Sequence, residues 1–136
     1  MLYLLDVNAL VALGFLNHQF HHRVAKWVQA ESSASLPSFG LATCSITELG
    51  FVRVLAQAPA YGFTVAQART LLARLKRTPV LAFNFIPDAH DISHLAAWVR
   101  APKQITDGHL SKLAGANGAV LATLDTNIPG SYVIPA

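Results

Sequence analysis

Residues 2–6 read LYLLD, a continuous apolar run that ends on a carboxylate. An apolar run without polar alternation predicts a strand that is buried on both of its faces. Near the other end of the chain, residues 119–125 read AVLATLD, and this apolar run also ends on an aspartate. Strands buried on both faces are typical of parallel sheets, in which helices cover the two sides.

Strand-like and helix-like segments alternate along the chain. Strands are predicted over residues 2–6, 41–44, 80–85, 119–124 and 131–134. Helices are predicted over residues 8–16, 19–30, 45–56, 65–77, 88–99 and a stretch from 106 that ends among the glycines at 115 and 118. This alternation predicts an α/β fold, a five-stranded parallel sheet covered by helices on both faces as an α/β/α sandwich. We expect residues 1–136 to form a single domain.

The composition excludes several classes of protein. Hydrophobic residues make up 53% of the chain and charged residues 12%, with a net charge of +3. No apolar run reaches the roughly 18 residues of a membrane span, and the N-terminus reads as a first strand and not as a signal peptide. Cys44 is the single cysteine, which excludes an intramolecular disulfide and fits a reducing cytoplasm and an inert core thiol. The surplus of apolar residues predicts an oligomer or partner interface.

Four of the seven acidic residues stand in apolar surroundings, where an ionised carboxylate is costly unless it is paired or coordinated. Asp6 and Asp125 each end a predicted strand, whereas Glu48 and Asp107 lie in the first turn of predicted helices. In parallel sheets ligands bind outside the carboxyl ends of the strands, at a topological switch point. We therefore expect the four acids to converge on one pocket and to bind a hard divalent cation, Mg²⁺ or Mn²⁺.

Each acid also has a purely structural interpretation. Asp6 could cap the following helix, although Asn8 suits that purpose better. The segment 45–48, SITE, fits a capping box in which Glu48 bonds back to the N-cap amide. Asp107 could favour the positive end of a helix dipole, and Asp125 could be a turn residue. Four such coincidences on one edge of one sheet are less probable than one shared site.

The segments LLDVNAL (4–10), TELGFVRVL (47–55), ITDGHLSKLA (105–114) and LATLD (121–125) occur in an order that resembles the PIN-domain ribonucleases. Within that family the chain is similar to the VapC toxins of bacterial toxin–antitoxin pairs. The resemblance implies that the catalytic, metal-binding acids are Asp6, Glu48, Asp107 and Asp125. It also implies that polar side chains supporting them are Asn8, Thr106 and Thr123.

The resemblance implies an endoribonuclease that depends on Mg²⁺ or Mn²⁺ and leaves a 5′-phosphate and a 3′-hydroxyl. It also implies a homodimer and a VapB-like antitoxin as protein partner. One alternative is a non-catalytic PIN-like module that binds RNA or protein without cutting. The other is a phosphatase-type enzyme with Asp6 as covalent nucleophile, because LLDVNAL is similar to D-x-D-x-T. Here Asn8 replaces the second aspartate of that motif.

Basic and histidine side chains offer further candidates. The possible RNA contacts outside the cleft are Arg53, Arg69, Arg74, Lys76 and Arg77, against the alternative of a solvated helix face. His18 and His22 are four residues apart and could share a helix face as zinc ligands, although packing or surface polarity explains them better. His109 follows Asp107 by two positions and is expected to border the cleft without binding metal.

Overall fold

Five parallel strands form one sheet in the computed structural model, which describes residues 1–34, 38–81 and 83–136. The strands are β1 (Leu2–Leu5), β2 (Gly40–Thr43), β3 (Phe83–Phe85), β4 (Ala119–Thr123) and β5 (Tyr132–Val133). Their order across the sheet is β3-β2-β1-β4-β5. The predicted five-stranded parallel sheet is confirmed. Strand β3 begins later than predicted, and residue 82 of the predicted range 80–85 lies outside the described residues.

Five α-helices connect the strands. They are α1 (Val7–Gly14), α2 (His21–Ser33), α3 (Ser45–Gln57), α4 (Val65–Lys76) and α5 (Ile105–Ala116). All five lie close to their predicted ranges. Of the helices in the described part of the chain, none is both long enough and apolar enough to cross a membrane.

The two faces of β1 show how helices cover both sides of the sheet. Tyr3 and Leu5 point into a core that α1 to α4 form on one side. Leu4 points the opposite way and packs with Leu110 and Leu113 of α5. Because adjacent strand residues alternate between faces, both layers require apolar side chains, and the uninterrupted run in β1 satisfies both.

The helix predicted over residues 88–99 is wrong. This segment is irregular, apart from a single 3-10 turn over Ile92–His94. Asp88 accepts a hydrogen bond of 2.9 Å from the backbone N–H of His90, and Asp91 accepts one of 2.9 Å from that of Ser93. Aspartate side chains that bond the backbone two residues ahead stabilise turns in competition with helix.

The sheet has its topological switch point between β1 and β4. From β1 the chain runs outward through β2 to β3, then crosses back to β4 on the other side of β1. Asp6 follows β1 directly and Asp125 lies two residues beyond β4. The connections from these two neighbouring strands diverge, which opens a crevice at their carboxyl ends.

Candidate active site

Asp6 joins β1 to α1 and is buried, with 6% of its surface exposed. Its Oδ1 accepts a hydrogen bond of 2.8 Å from the backbone N–H of Ala9, which makes Asp6 the N-cap of α1. Its Oδ2 accepts a bond of 2.5 Å from the hydroxyl of Thr123. The expectation that Asn8 suits the cap better is wrong, because the helix begins at Val7 and Asn8 lies inside its first turn. With both oxygens engaged and little access, Asp6 is poorly placed to be a covalent nucleophile.

Asp6, Asp107 and Asp125 are close enough for their charges to act on one another. Burial, together with the charges of Asp107 and Asp125, raises the pKa of Asp6 to about 6, against the opposing effect of its two hydrogen bonds. The pKa of Asp107, in the first turn of α5, is raised by burial and by the charge of Asp125. Three of the four predicted acids therefore form an anionic cluster at the switch point.

Asp125 also occupies the turn that its structural interpretation predicts. Its Oδ1 accepts a hydrogen bond of 2.8 Å from the backbone N–H of Asn127, and its own N–H donates to the Thr123 hydroxyl at 3.0 Å. The Thr123 hydroxyl thus bonds both Asp6 and the backbone of Asp125. This side chain ties the ends of β1 and β4 to each other.

Glu48 is paired with a lysine of α4. The Nζ of Lys76 lies 2.6 Å from Oε2 of Glu48, and the hydroxyl of Thr43 donates to the same oxygen at 2.5 Å. The side chains of Lys76 and Glu48 are 32% and 23% exposed, so the pair is partly shielded from water. Sequence reasoning missed both contacts. A signal for Thr43 exists, since it ends β2 as Thr123 ends β4.

The capping box predicted for residues 45–48 is displaced by one position. The N-cap of α3 is Cys44, and the Thr47 side chain accepts a hydrogen bond of 3.0 Å from its backbone N–H. The box is complete with Thr47, so the structural interpretation of Glu48 as its partner is wrong. Cys44 itself is buried and forms no disulfide in the described part of the chain.

A metal site is not preassembled in this conformation. Within the described ranges, no three His, Cys, Asp or Glu side chains are arranged to hold a metal ion together. The carboxylate donors nevertheless suit a hard divalent cation. A cation near Asp6 and Asp107 would favour their ionised forms, which burial and mutual repulsion disfavour. An ion shared with Glu48 would come close to the ammonium of Lys76, because that ammonium lies 2.6 Å from the same carboxylate.

The other predicted polar residues line different hollows. Asn8 and Asp125 line a hollow of about 330 Å³, together with His18. Thr106 lines another hollow, of about 260 Å³, with His109. Asn8 and Thr106 are both exposed. Their supporting roles stay predictions.

Three of the five predicted RNA contacts surround one groove. Arg53, Arg69 and Lys76 line a hollow of about 510 Å³ between α3 and α4, and Glu48 also lines it. Arg74 faces a separate hollow, of about 580 Å³, beside Gly62 and Phe63. Arg77 is the C-cap of α4 and is exposed.

His18 and His22 do not form the predicted zinc pair, whereas His109 contacts an aspartate. His18 precedes α2, and His22 lies within it, so they do not share a helix face as the zinc interpretation requires. His109 forms an ion-pair contact of 2.5 Å between its Nε2 and Oδ2 of Asp88. This contact, which the sequence did not indicate, attaches the irregular segment after β3 to the helix that carries Asp107.

The comparisons with known proteins agree with this arrangement. Residues 3–130 match the model of the PIN domain family. Ribonuclease VapC38 of Mycobacterium tuberculosis is 36% identical over 130 residues, which cover 92% of this chain and 86% of that protein. Ribonuclease VapC44 of the same organism is 37% identical over 131 residues, which cover 92% of this chain and 87% of that protein.

A solved structure shares the fold. The crystal structure of VapBC2 from Rickettsia felis, bound to a DNA fragment from their promoter, matches with a TM-score of 0.63 and 14% sequence identity. The match covers 97% of this chain and 96% of that one. This likeness shows the fold, whereas the family model and the two curated relatives show the family. The chain belongs to the PIN-domain family and, within it, to the VapC ribonucleases.

Proposed function

We propose that this protein is the toxin of a VapBC-type toxin–antitoxin pair and hydrolyses RNA phosphodiester bonds as an endoribonuclease that depends on Mg²⁺ or Mn²⁺. The observation that carries the proposal is the anionic cluster of Asp6, Asp107 and Asp125 at the switch point of the sheet. A buried carboxylate such as that of Asp6 is unfavourable in isolation, although Asp107 is only partly buried and Asp125 is exposed, against the expectation that all the acids stand in apolar surroundings. Carboxylates that converge suit a divalent cation.

In this mechanism Asp6, Asp107, Asp125 and Glu48 would hold the metal. When bound, the ion would acidify a water molecule for in-line attack and offset the charge that develops on the leaving oxygen. Thr123 would orient Asp6 through its hydroxyl, and Thr43 would orient Glu48 in the same way. Asn8 and Thr106 would border the reacting phosphate from opposite sides.

The basic groove between α3 and α4 supports an RNA substrate. Arg53, Arg69 and Lys76 line a hollow that Glu48, one of the proposed metal ligands, also lines. Cations along such a groove would attract the phosphates of an RNA backbone. Arg74 and Arg77 would extend this attraction around α4.

The same region supports protein partners. Leu49 on α3 is 63% exposed and Val65 on α4 is 56% exposed, and both line the groove. Exposed apolar side chains in a groove favour a protein contact. We propose a homodimer and a VapB-like antitoxin, in the cytoplasm, where the single buried thiol of Cys44 stays reduced. Light scattering at micromolar concentration tests the dimer, and a monomer there would contradict it.

Substitution of the acids tests the nuclease. Asp6→Asn and Asp107→Asn should each lose Mn²⁺ binding in calorimetry and RNA cleavage in a gel assay, with the fold retained by circular dichroism. Asp91→Asn is the matched control, because Asp91 is an exposed aspartate outside the cluster. Cleavage products should carry a 5′-phosphate. Unchanged Mn²⁺ affinity in both cluster variants would refute the site, and RNA binding without cleavage by the wild-type protein would favour the non-catalytic alternative.

A further inference from the structure

Lys76 is a cation built into the proposed metal site. Its Nζ lies 2.6 Å from Oε2 of Glu48, and it reaches that position from the last turn of α4, 28 residues further along the chain. The Thr43 hydroxyl bonds the same oxygen. Glu48 is therefore already neutralised on the side of α4.

The pairing separates Glu48 from the other acids. The charges that raise the pKa of Asp6 are those of Asp107 and Asp125, and Asp125 follows β4, which lies on the opposite side of β1 from β2. A divalent ion held by these three has further positions in its oxygen shell, which water or another carboxylate can fill. If Glu48 fills one of them, the ion comes close to the ammonium of Lys76, and the two cations repel each other.

Lys76 also contacts groups other than Glu48. Its Nζ lies 5.4 Å from the centroid of the Phe85 ring, a cation–π contact at the end of β3. Lys76 also lines the groove that contains Arg53 and Arg69. Released from Glu48, the ammonium would join two guanidinium groups on the path of an RNA backbone.

We propose that Lys76 and the divalent metal compete for Glu48, so that metal binding releases Lys76 to contact an RNA phosphate. This inference rests on the proposed metal-dependent nuclease and adds a residue to it. In the metal-free protein Lys76 acts as a substitute cation that keeps Glu48 from repelling the other acids. In the metal-bound protein Lys76 would contact the RNA. The metal should therefore bind before the RNA.

Metal affinity tests the competition without any measurement of cleavage. Lys76→Met should bind Mn²⁺ roughly two- to fivefold more tightly than the wild-type protein, as expected from the loss of a partly exposed ion pair. Arg77→Met is the matched control, because it removes the same charge one residue away at an exposed site. Lys76→Arg keeps the charge and should retain nearly the wild-type affinity.

A double-mutant cycle identifies the partner. In a Glu48→Gln background, Lys76→Met should no longer tighten Mn²⁺ binding, because the carboxylate for which the two cations compete is gone. Equal Mn²⁺ affinities for Lys76→Met and Arg77→Met would overturn the competition. The competition would also be overturned if Lys76→Met changed the Mn²⁺ affinity by the same factor in the wild-type and Glu48→Gln backgrounds. Loss of thermal stability in Lys76→Met without a change in metal affinity would show that Lys76 only joins α3 to α4.

A measurement of RNA binding tests whether the metal releases Lys76 from Glu48. With a fluorescent single-stranded oligoribonucleotide of mixed sequence, Lys76→Met should weaken binding in Ca²⁺ and leave it unchanged in EDTA at the same ionic strength. Equal weakening in both conditions would overturn the release step. Should the wild-type protein bind Mn²⁺ with the predicted competition and yet cut no RNA, the proposed activity would fail while the role of Lys76 at Glu48 would stand.

Discussion

The hydroxyl of Thr123 at the end of β4 donates to Oδ2 of Asp6 at the end of β1, with 2.5 Å between the oxygens. The two residues are 117 positions apart, and only the pairing of β1 with β4 brings them together. The bond lowers the pKa of Asp6, but burial outweighs it. The fold therefore fixes the position of the Asp6 carboxylate, and the burial that this requires destabilises its ionised form.

Replacement of Thr123 tests its supporting role. Thr123→Val has nearly the same shape but removes the donor to Asp6 and the acceptor for the Asp125 amide. Loss of a buried hydrogen bond to a charged group should lower the free energy of unfolding by about 1–3 kcal/mol. Mn²⁺ affinity should fall as well, since Asp6 would lose its orientation. Thr123→Ser keeps the hydroxyl and is the control; if Ser and Val behave alike in calorimetry and thermal denaturation, the hydroxyl has no such role.

The raised pKa of Asp6 predicts an unusual pH dependence of stability in EDTA. The folded protein holds the Asp6 proton up to a pH of about 6, whereas the unfolded chain releases it near 3.8. Because the folded state binds more protons between these values, stability should fall as the pH rises from about 4 to about 6 and stay low above that range. The total from Asp6 is on the order of 2–3 kcal/mol, and Asp107 acts in the same direction.

Asp6→Asn should remove most of this dependence. Asparagine keeps the N-cap acceptor for Ala9 and can donate to Thr123, but it carries no charge. We expect the variant to be more stable than the wild-type protein at pH 8 and about equal to it at pH 4.5 in urea denaturation. A wild-type stability that rises with pH between 4.5 and 7, or an equal pH profile in the variant, would contradict the prediction.

Glu48→Gln separates activity from stability. The capping box of α3 consists of Cys44 and Thr47, so the substitution leaves the start of the helix intact. The charge pair with Lys76 is partly exposed and contributes little, so the melting temperature should change by only a few degrees. RNA cleavage should fall at least tenfold if Glu48 holds metal. Full activity in this variant would exclude Glu48 from the metal site.

The fold follows from local pattern because each strand and helix carries its own signal. β1 and β4 are uninterrupted apolar runs, and such runs belong to strands covered on both faces. The helix predicted over residues 88–99 does not form, and the reason is also local. Its aspartates bond backbone amides two residues ahead, and this local competition defeats a helix that the proline at position 87 suggested.

The site was less predictable than the fold. Asp6, Asp107 and Asp125 could be placed together because parallel strands bring their carboxyl ends to one edge. The partner of Glu48 could not be predicted, since Lys76 is 28 residues away and its approach depends on how α3 packs against α4. The capping box was misplaced by one residue because Thr47 and Glu48 can both bond back to the backbone, and the position of the cap decides between them.

Two glycines of α5 should respond oppositely to the same substitution. A Cβ on Gly108, next to Asp107, would lie 2.2 Å from Cγ2 of Val99, whereas a Cβ on Gly115 would meet nothing within 4 Å. Gly108→Ala should therefore destabilise the protein by about 1–3 kcal/mol and displace the first turn of the helix, which lowers Mn²⁺ affinity. Gly115→Ala should stabilise the helix by up to about 1 kcal/mol without changing metal binding. Thermal denaturation and calorimetry of the pair distinguish steric displacement from a general effect of alanine, and equal behaviour would contradict the close packing at Gly108.

The proposed antitoxin should compete with divalent metal. An inhibitor that lays a segment across the cleft and inserts an arginine against Asp6 and Asp107 would supply the charge that the metal otherwise supplies. Its affinity should then fall as Mg²⁺ rises, by more than KCl of equal ionic strength causes. Titration of the antitoxin peptide in the two salts, by fluorescence anisotropy, measures the difference. Asp107→Asn is the control, because it weakens the metal site and should reduce the specific effect of Mg²⁺. Equal affinities at matched ionic strength would mean that the antitoxin blocks RNA access elsewhere and leaves the acidic cluster untouched.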